Sequence, residues 1–337
     1  MGPRGTAAKE LGVSIPVRPI VTVTRRLPSI VETALAERFE VRLNRDDRPL
    51  GAAGLREALA TSDAVLCTVS DTLDAAVFSA EPLRTTLLAN FGVGFEHIDL
   101  AAARARGIAV TNTPGVLTED TADLAIALML MAFRRLGEGE RELRAGRWSG
   151  WHPMHHLGRR LSGKTLGIVG MGRIGRAVAR RAVHGFGMRL LYASRTELPA
   201  GEAAALDAVH VELDRVFAES DVVSLHVPSN GETRHLVNAR RLQLMPPHGI
   251  LINTARGGVV DDTALAEALR NGTIAGAGLD VYAEEPRVNP ALLALQNVVL
   301  LPHLGSATVE SRTAMGMRAF ENLVAWSEGR ELPDRVV

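Results

Sequence analysis

Three polar residues whose side chains could take part in a reaction each follow an apolar run that is typical of a buried strand. Arg256 follows LINTA, Glu285 ends GLDVYAEE, and His303 follows NVVLLP. Taken singly, each has an ordinary structural explanation: a salt-bridging loop arginine, an acid before a proline, or a buried, hydrogen-bonded histidine. Taken together at strand ends, they could converge on one crevice. An anion anchor, a carboxylate and a proton donor are the residue types that reduction of a 2-keto acid requires.

A glycine motif upstream indicates a dinucleotide as the second reactant. The short apolar run Leu166–Val169 precedes Gly170, Gly172 and Gly175 at G-x-G-x-x-G spacing, and an amphipathic helical pattern follows. These glycines allow a tight turn, a close approach of pyrophosphate to the backbone, and tight packing of helix on strand. A glycine-rich turn in an ordinary α/β unit is the alternative. The strand before the motif and the helix after it favour the dinucleotide site.

The end of the second strand in such a fold discriminates between NAD and NADP. An acid there binds the ribose 2′-hydroxyl, whereas an arginine accommodates a 2′-phosphate. Here the strand pattern RLLYA ends in Ser194, Arg195 and Thr196, with no acid among them. Arg195 could be an ordinary surface residue, but the missing acid also counts, so we expect NADP(H) to be preferred, with NAD(H) still possible.

Alternating strand and helix patterns surround these motifs in two series, which predicts two doubly wound parallel sheets with helices on both faces. Ser29–Arg38 and Asp262–Arg270 are examples of the predicted helices. A further helix, with Thr118 as its predicted N-cap, is apolar on nearly all sides over Leu124–Phe133 and should be buried all round. The predicted strands are Ile20–Thr24, Val41–Leu43, Ala64–Val69, Thr86–Ala89, Ile108–Thr111, Leu166–Val169, Met188–Ala193, Asp221–Val227, Gly249–Thr254, Ile274–Val281 and Val298–Leu301.

Composition excludes several other classes of protein. Lys plus Arg equals Asp plus Glu at 38 each, so nothing suggests a nucleic acid or an anionic membrane as partner. The single cysteine, Cys67, excludes an internal disulfide and fits a reducing compartment. No charged segment followed by an apolar one opens the chain, and the run over Leu124–Phe133 is too short to cross a bilayer. We therefore expect a cytoplasmic protein.

The motifs together resemble the D-2-hydroxyacid dehydrogenase family over nearly the whole chain, from about Ile20 to Arg330. They are GMGRIG, HVP, NTARG, GLDVYAEEP and PHLGSAT, in the family's order and approximate spacing. The segments TVSD, NFGVGFEHID, GRWSGW and SRT look most like the NADPH-dependent glyoxylate/hydroxypyruvate reductases within it. The resemblance implies a Rossmann dinucleotide-binding domain (118–304) inserted into a flavodoxin-like catalytic domain (18–117 and 305–337), after a loose leader (1–17). It also implies a homodimer that pairs through the cofactor domain.

The resemblance also implies roles for individual residues. His303 would be the general acid that Glu285 keeps protonated, Arg256 would bind the substrate carboxylate and polarise the ketone, and Asp280 would receive the nicotinamide carboxamide. Backbone amides of Val69, Ser70, Val93 and Gly94 would hold the substrate carboxylate, with Ser306 beside the substrate. The remaining cofactor-binding positions would be Thr121, Gly170, Gly172, Arg173, Ile174, Gly175, Ser194, Arg195, Thr196, Val227, Pro228, Thr233, Thr254 and Ala255.

The roles of some residues remain open, and others depart from the family pattern. Trp151 could enter the partner's pocket or pack at the dimer interface. Glu96 stands where the family often has Asp or Asn, and Asp123 where it often has Glu, which puts only local geometry in doubt. His152, His155 and His156 lack the i, i+4 helical pairing and a nearby acid or cysteine, so we expect a polar loop and no metal.

The expected activity is NADPH-dependent reduction of small 2-keto acids, namely glyoxylate to glycolate and hydroxypyruvate to D-glycerate. Reduction of bulkier keto acids such as phenylpyruvate, or of pyruvate to D-lactate, is the alternative within the family. A dinucleotide-sensing corepressor is the alternative outside it. Such corepressors usually carry long disordered tails, and the intact Arg256, Glu285 and His303 argue for turnover.

Overall fold

The computed structural model describes residues 18–337, so the predicted leader over residues 1–17 lies outside the described residues. The chain divides into two compact units. The first comprises residues 18–91 with His97–Asn112 and Met317–Val337, and the second comprises Gly92–Glu96 and Thr113–Gly316. The predicted domain boundaries near 117 and 305 remain predictions.

The first unit is built on a five-stranded parallel sheet in the order β2-β1-β3-β4-β5. This is the order of flavodoxin-like doubly wound sheets, in which the chain reverses direction across the sheet beside the first strand. Both central strands, β3 and β4, are buried along their full length, as expected for strands that helices cover on both faces. The elements are β1 (Ile20–Val23), α1 (Ser29–Arg38), β2 (Glu40–Leu43), α2 (Gly51–Thr61), β3 (Ala64–Thr68), α3 (Ala75–Phe78), β4 (Leu87–Phe91), α4 (Leu100–Ala105) and β5 (Ala109–Thr111).

The second unit contains a seven-stranded parallel sheet in the order β12-β11-β10-β9-β6-β7-β8, which is the Rossmann order with an added strand. The chain enters at β6, builds one half through β8, and returns to β9 on the other side. The elements are α5 (Thr118–Phe133), α6 (Leu136–Arg144), β6 (Thr165–Val169), α7 (Arg173–Phe186), β7 (Arg189–Ala193), α8 (Ala200–Ala205), β8 (Ala208–His210), α9 (Leu213–Glu219), β9 (Val222–Leu225), α10 (Ala239–Leu244), β10 (Ile250–Asn253), a 3₁₀ turn (Gly257–Val259), α11 (Asp262–Arg270), β11 (Gly276–Leu279), α12 (Pro290–Leu293) and β12 (Val298–Leu300). The last helix, α13 (Val309–Ser327), belongs to the second unit up to Gly316 and to the first unit from Met317.

Two apolar clusters cover the two faces of this sheet. Neighbouring residues of one strand point to opposite faces, and accordingly Val222 of β9 lies in one cluster and Val223 in the other. One cluster is completed by α5 and α7, and the other by α9 and α11. The predicted fold class of two doubly wound parallel sheets is therefore confirmed.

Two local expectations for α5 are wrong. The helix begins with Thr118, and its N-cap is Leu117, which provides no side-chain cap. Leu124, Ala127 and Met131, spaced to share one helix face, are only half-buried, so this helix is not buried on every side. The reason is that the sheet, α7 and α6 pack against the helix without fully covering this stripe. Among the described residues, no helix is long and apolar enough to cross a membrane.

Candidate active site

The polar residues predicted from the sequence follow three neighbouring strands of the second sheet. Arg256 lies three residues after β10, Asp280 follows β11 directly, and His303 lies three residues after β12. Because β10, β11 and β12 are adjacent and parallel, their carboxyl ends lie on the same edge of the sheet. The backbone N–H of His303 donates to the carbonyl of Asp280 at 2.9 Å, which joins two of these strand ends directly.

His303 and Glu285 form a pair, with Nδ1 of the imidazole 2.7 Å from Oε2 of the carboxylate. The other carboxylate oxygen accepts from the backbone N–H of Tyr282 at 3.0 Å, which fixes its orientation. Burial is the largest single influence and raises the pKa of Glu285, but the hydrogen bond and charge of His303, the backbone N–H of Tyr282 and the charge of Arg256 together outweigh it, so the net pKa is lowered. Glu285 is thus a carboxylate at neutral pH, able to stabilise a positive charge on the ring while Nε2 remains for a substrate.

Asp280 organises the loop that carries His303. Its side chain is fully buried, and its two oxygens accept from the backbone N–H groups of Leu304 at 2.6 Å and Gly305 at 2.8 Å. His303 itself has a left-handed backbone, with φ of 55°, so the loop requires such fixed contacts. Burial raises the pKa of Asp280 despite these hydrogen bonds. Its predicted contact with nicotinamide remains a prediction.

Asn253, which the sequence reasoning did not single out, shapes the turn before Arg256. It is the last residue of β10 and is buried, with its Oδ1 accepting from Ala255 N–H and its Nδ2 donating to the Arg256 carbonyl, both at 3.0 Å. The Arg256 guanidinium in turn donates from Nη1 to the Ala255 carbonyl at 2.7 Å. The sequence signal that could have identified this role is a single amide side chain at the end of an apolar strand, because a buried amide requires hydrogen-bond partners.

Glu96 contacts the arginine that we expect to bind substrate. Arg256 Nε lies 3.1 Å from Glu96 Oε2, and the guanidinium packs so closely over Gly94 that a Cβ there would overlap it. Both Glu96 and Gly94 belong to the second unit. Glu96, which departs from the family pattern, therefore contacts Arg256 directly. Sequence reasoning alone missed this contact.

The glycine motif has the geometry that a pyrophosphate site requires. Gly170 has φ of +96°, and a Cβ on it would overlap the His226 carbonyl, while a Cβ on Gly175 would overlap the Gly170 carbonyl. The start of α7 has no side-chain cap, and a Cβ on Gly172 would meet nothing within 4 Å in the described chain. Exposed Arg173 and half-buried Ile174 complete this first turn. The free backbone N–H groups of α7 can therefore hold an anion in the open space over Gly172.

The other predicted cofactor positions lie around the same sheet edge in the second unit. The buried hydroxyl of Thr254 has no hydrogen-bond partner among the described residues, and such a buried group requires one, which a bound cofactor would provide. Thr121 donates to the Gly305 carbonyl at 2.9 Å, and Thr233 donates to the Pro228 carbonyl at 2.7 Å. Val227 is half-buried and Ala255 is buried. These residues fit a dinucleotide.

The end of β7 presents the predicted selectivity residues to solvent. Arg195 and Thr196 are exposed and Ser194 is half-buried. Within the described part of the chain, Arg195 forms no ion pair and no side-chain hydrogen bond. Glu197 is engaged elsewhere, with its carboxylate 3.3 Å from Nδ1 of His210. A guanidinium without a competing carboxylate is suited to a phosphate group.

The remaining predicted substrate residues are distributed over both units. Val69 and Ser70 follow β3 in the first unit, where buried Asp71 accepts from the backbone N–H of Thr68 at 2.8 Å and holds the turn. Val93, Gly94, half-buried Ser306 and Trp151, which is 81% exposed, belong to the second unit. Their roles toward substrate remain predictions.

The expectation that the histidine segment lacks a nearby acid is wrong. Glu142 of α6 lies 13 residues before His155, and its two oxygens are each 3.1 Å from Nε2 of that residue. His156 Nε2 contacts the same carboxylate. The spacing rule for ligands on one helix cannot detect this arrangement, because the acid is on a helix and the histidines are on the following loop.

Comparisons with known proteins identify the family to which the chain is similar. A family model described as "D-isomer specific 2-hydroxyacid dehydrogenase, NAD binding domain" matches residues 126–305. A glyoxylate reductase of Thermococcus litoralis is 45% identical over 95% of this chain and 97% of its own. The crystal structure of an NADPH-dependent glyoxylate/hydroxypyruvate reductase from Sinorhizobium meliloti, with NADP and malonate, is 40% identical with a TM-score of 0.83 and covers 95% of this chain and 97% of that one. The holo D-mandelate dehydrogenase of Rhodotorula graminis is 30% identical, with the same TM-score and the same coverage.

Proposed function

This chain belongs to the family of D-isomer specific 2-hydroxyacid dehydrogenases, and on that premise we propose that it reduces glyoxylate and hydroxypyruvate with NADPH. The products would be glycolate and D-glycerate. It is an oxidoreductase of the class that acts on CH–OH groups, and its second unit can hold a nicotinamide dinucleotide. The observation that carries the proposal is the His303–Glu285 pair at 2.7 Å on the same sheet edge as Arg256.

The chain's own residues perform binding and proton transfer. The dinucleotide would lie with its pyrophosphate at the start of α7, where Gly170, Gly172 and Gly175 leave room, and the bound reduced cofactor supplies a hydride to the carbonyl carbon. Arg256 binds the substrate carboxylate through two parallel N–H donors, a geometry that lysine cannot provide. Glu96, paired with Arg256 Nε in the structure, would release that donor when the substrate arrives.

His303 completes the reaction as general acid. The proton leaves Nε2 for the carbonyl oxygen, so that hydride and proton together convert the carbonyl group to an alcohol. Glu285 stabilises the charged ring through Nδ1 and is itself kept ionised by the same contact. The imidazole, neutral after the transfer, is recharged from solvent.

The proposed preference for small keto acids is testable with a substrate panel. We expect kcat/KM for glyoxylate and hydroxypyruvate to exceed that for phenylpyruvate by about tenfold or more, since a pocket that fits a small acid excludes a ring. Support comes from the relatives named for glyoxylate reduction, whereas the D-mandelate dehydrogenase favours the alternative. Initial rates of NADPH oxidation with each acid provide the measurement. A preference for phenylpyruvate would contradict the small-acid assignment and leave the reaction type intact.

The proposed preference for NADPH predicts a selective effect of Arg195→Ala. Each charge-assisted hydrogen bond contributes about 1.5–3 kcal/mol, so loss of the guanidinium should raise the dissociation constant of NADPH by about tenfold or more. The dissociation constant of NADH, which has no 2′-phosphate, should change by less than about twofold. The dissociation constants of both nucleotides, measured by fluorescence titration, test this.

A matched control for Arg195→Ala is available on the same strand. Arg189 is an exposed arginine at the opposite end of β7, and Arg189→Ala should change neither affinity. Equal weakening of NADPH and NADH by Arg195→Ala would show that the 2′-phosphate assignment is wrong.

We also propose a homodimer that pairs through the cofactor-binding unit. An exposed apolar group in residues 148–157 of that unit supports it, comprising Trp148, Trp151, Met154 and Leu157. Trp151 either enters the partner's pocket or packs against its surface. The single, buried and unpaired thiol of Cys67 supports the proposed cytoplasmic location.

A further inference from the structure

Glu142, His155 and His156 form a cluster that the proposed reaction does not use. One donor atom from each lies within 4.8 Å of the other two, and this is the one such group of three among the described residues. The imidazoles of His155 and His156 have ring centres 4.4 Å apart, and the ring of His152 stacks on His155 at 5.1 Å. All three ligand side chains are partly buried, with 20–27% of each exposed.

The arrangement differs from the other histidine–carboxylate ion pairs found in the described part of the chain. His303 with Glu285, His248 with Asp221, and His210 with Glu197 each bring one imidazole to one carboxylate. Glu142 meets two imidazoles at once, although one hydrogen-bonding partner is enough to fix a side chain. His156 also has a left-handed backbone, with φ of 45°, which is uncommon for a residue other than glycine. Two imidazole nitrogens and a carboxylate oxygen converging on one point constitute a ligand set.

We propose that Glu142, His155 and His156 bind one divalent transition-metal ion, with Zn²⁺ the best match. Imidazole nitrogen and carboxylate oxygen are ligands of Zn²⁺ at about 2.0–2.2 Å, and three donors spaced this closely can reach one tetrahedral ion with small adjustments. Water fills the fourth position. Ca²⁺ and Mg²⁺, which prefer an all-oxygen shell, do not match two nitrogens.

The ion would link the loop that follows α6 to the helix itself. Glu142 lies in α6, whereas His155 and His156 lie in a segment without helix or strand, so the metal would close a loop between residues 13 positions apart in the sequence. That loop includes Trp148 and Trp151. Metal binding would therefore order the exposed apolar group that we assign to dimer pairing, with the ion outside the catalytic site.

The test measures metal binding by the full-length chain without an affinity tag, after removal of metal by a chelator. Equilibrium dialysis against Zn²⁺ with elemental analysis should give one ion per chain, and Co²⁺ should produce the intense visible absorption of a tetrahedral site. Losing an outer-shell partner of a ligand costs about 10- to 100-fold in affinity, so losing a ligand should cost at least about 100-fold. We expect that loss in Glu142→Gln and in the double variant His155→Ala, His156→Ala.

His210→Ala is the matched control, because it removes a histidine from a single carboxylate pair elsewhere in the same unit. It should bind one ion as the wild type does. Because Glu142→Gln keeps the shape of the side chain, a fold intact by circular dichroism separates loss of a ligand from loss of structure. Absence of stoichiometric Zn²⁺ in the wild type, or unchanged binding in the ligand variants, would overturn the proposal. Neither readout uses the catalytic reaction, so failure of the proposed function would leave this result unaffected.

Discussion

Replacing His303 by alanine should lower kcat for glyoxylate reduction by about 100- to 10,000-fold, the range that a positioned general acid contributes. The dissociation constant for NADPH should change little, because the imidazole is assigned to the substrate carbonyl and the pyrophosphate site is at the start of α7. The measurement pairs steady-state rates with a fluorescence titration of NADPH on the same preparation. A fall in kcat with intact binding identifies a group that acts in the transition state.

His235→Ala is the control for this experiment. His235 is an exposed histidine of the same unit with nearly the same left-handed backbone, φ of 49°. The variant therefore also places an alanine at a left-handed position, and it leaves the His303–Glu285 pair unchanged. Rates within a few-fold of the wild type in His303→Ala would contradict the assignment.

Glu285→Gln tests the coupling within the pair. Because the carboxylate stabilises the charged imidazole, its loss should lower kcat by about tenfold or more across the neutral range. The net pKa of Glu285 is lowered, so in the wild type the effect of the carboxylate on kcat is present at neutral pH and is lost only as the pH falls through that lowered pKa. The pH profile of kcat should therefore lose this acidic decline in Glu285→Gln, and the same decline in both enzymes would mean that Glu285 does not act through His303.

Replacing Arg256 by lysine should lower kcat/KM for glyoxylate by about 100-fold or more, although the charge is kept. Two charge-assisted hydrogen bonds to the substrate carboxylate, at about 1.5–3 kcal/mol each, are replaced by a single flexible contact. The melting temperature should change little, since the ion pair with Glu96 is partly exposed and pairs of this kind contribute about 0–1 kcal/mol. Steady-state kinetics and thermal unfolding measure the two effects separately.

Arg287→Ala serves as the control for charge, because Arg287 is an exposed arginine in the loop after β11 and, among residues 18–337, its one ion pair is with Glu284 at 3.1 Å. It should leave kcat/KM unchanged. A decrease in kcat/KM of less than about tenfold in Arg256→Lys would fall short of even one of the two assigned hydrogen bonds and would exclude the bidentate role.

Local sequence patterns predict the bounds of a helix or strand where its own residues carry the periodicity or the capping side chain. The predicted helices Ser29–Arg38 and Asp262–Arg270 match the structure residue for residue, and the second is capped by Asp261, which accepts from Thr263 and Ala264. Strand β8, Ala208–His210, was missed. It is a three-residue edge strand that is largely exposed, so it lacks the apolar run that marks a buried strand.

At the site, the sequence does not predict contacts between segments that are far apart in the chain. His303 and Glu285 could be placed together because strands of one parallel sheet end at one edge. The ion pair of Arg256 with Glu96 joins residues 160 positions apart, and no local pattern encodes it. The same is true of Glu142 with the two histidines, where the spacing suggested the absence of an acid and the fold brings one in.

The most direct test of the central claim is a single-turnover experiment. Excess enzyme is mixed with NADPH and glyoxylate, and the absorbance of the reduced nicotinamide is followed for the wild type and for His303→Ala. The account predicts rapid, complete oxidation of NADPH with formation of one glycolate per cofactor in the wild type, and oxidation slower by about 100-fold or more in the variant. Stable NADPH in the presence of wild-type enzyme and glyoxylate, with the cofactor demonstrably bound, would contradict it.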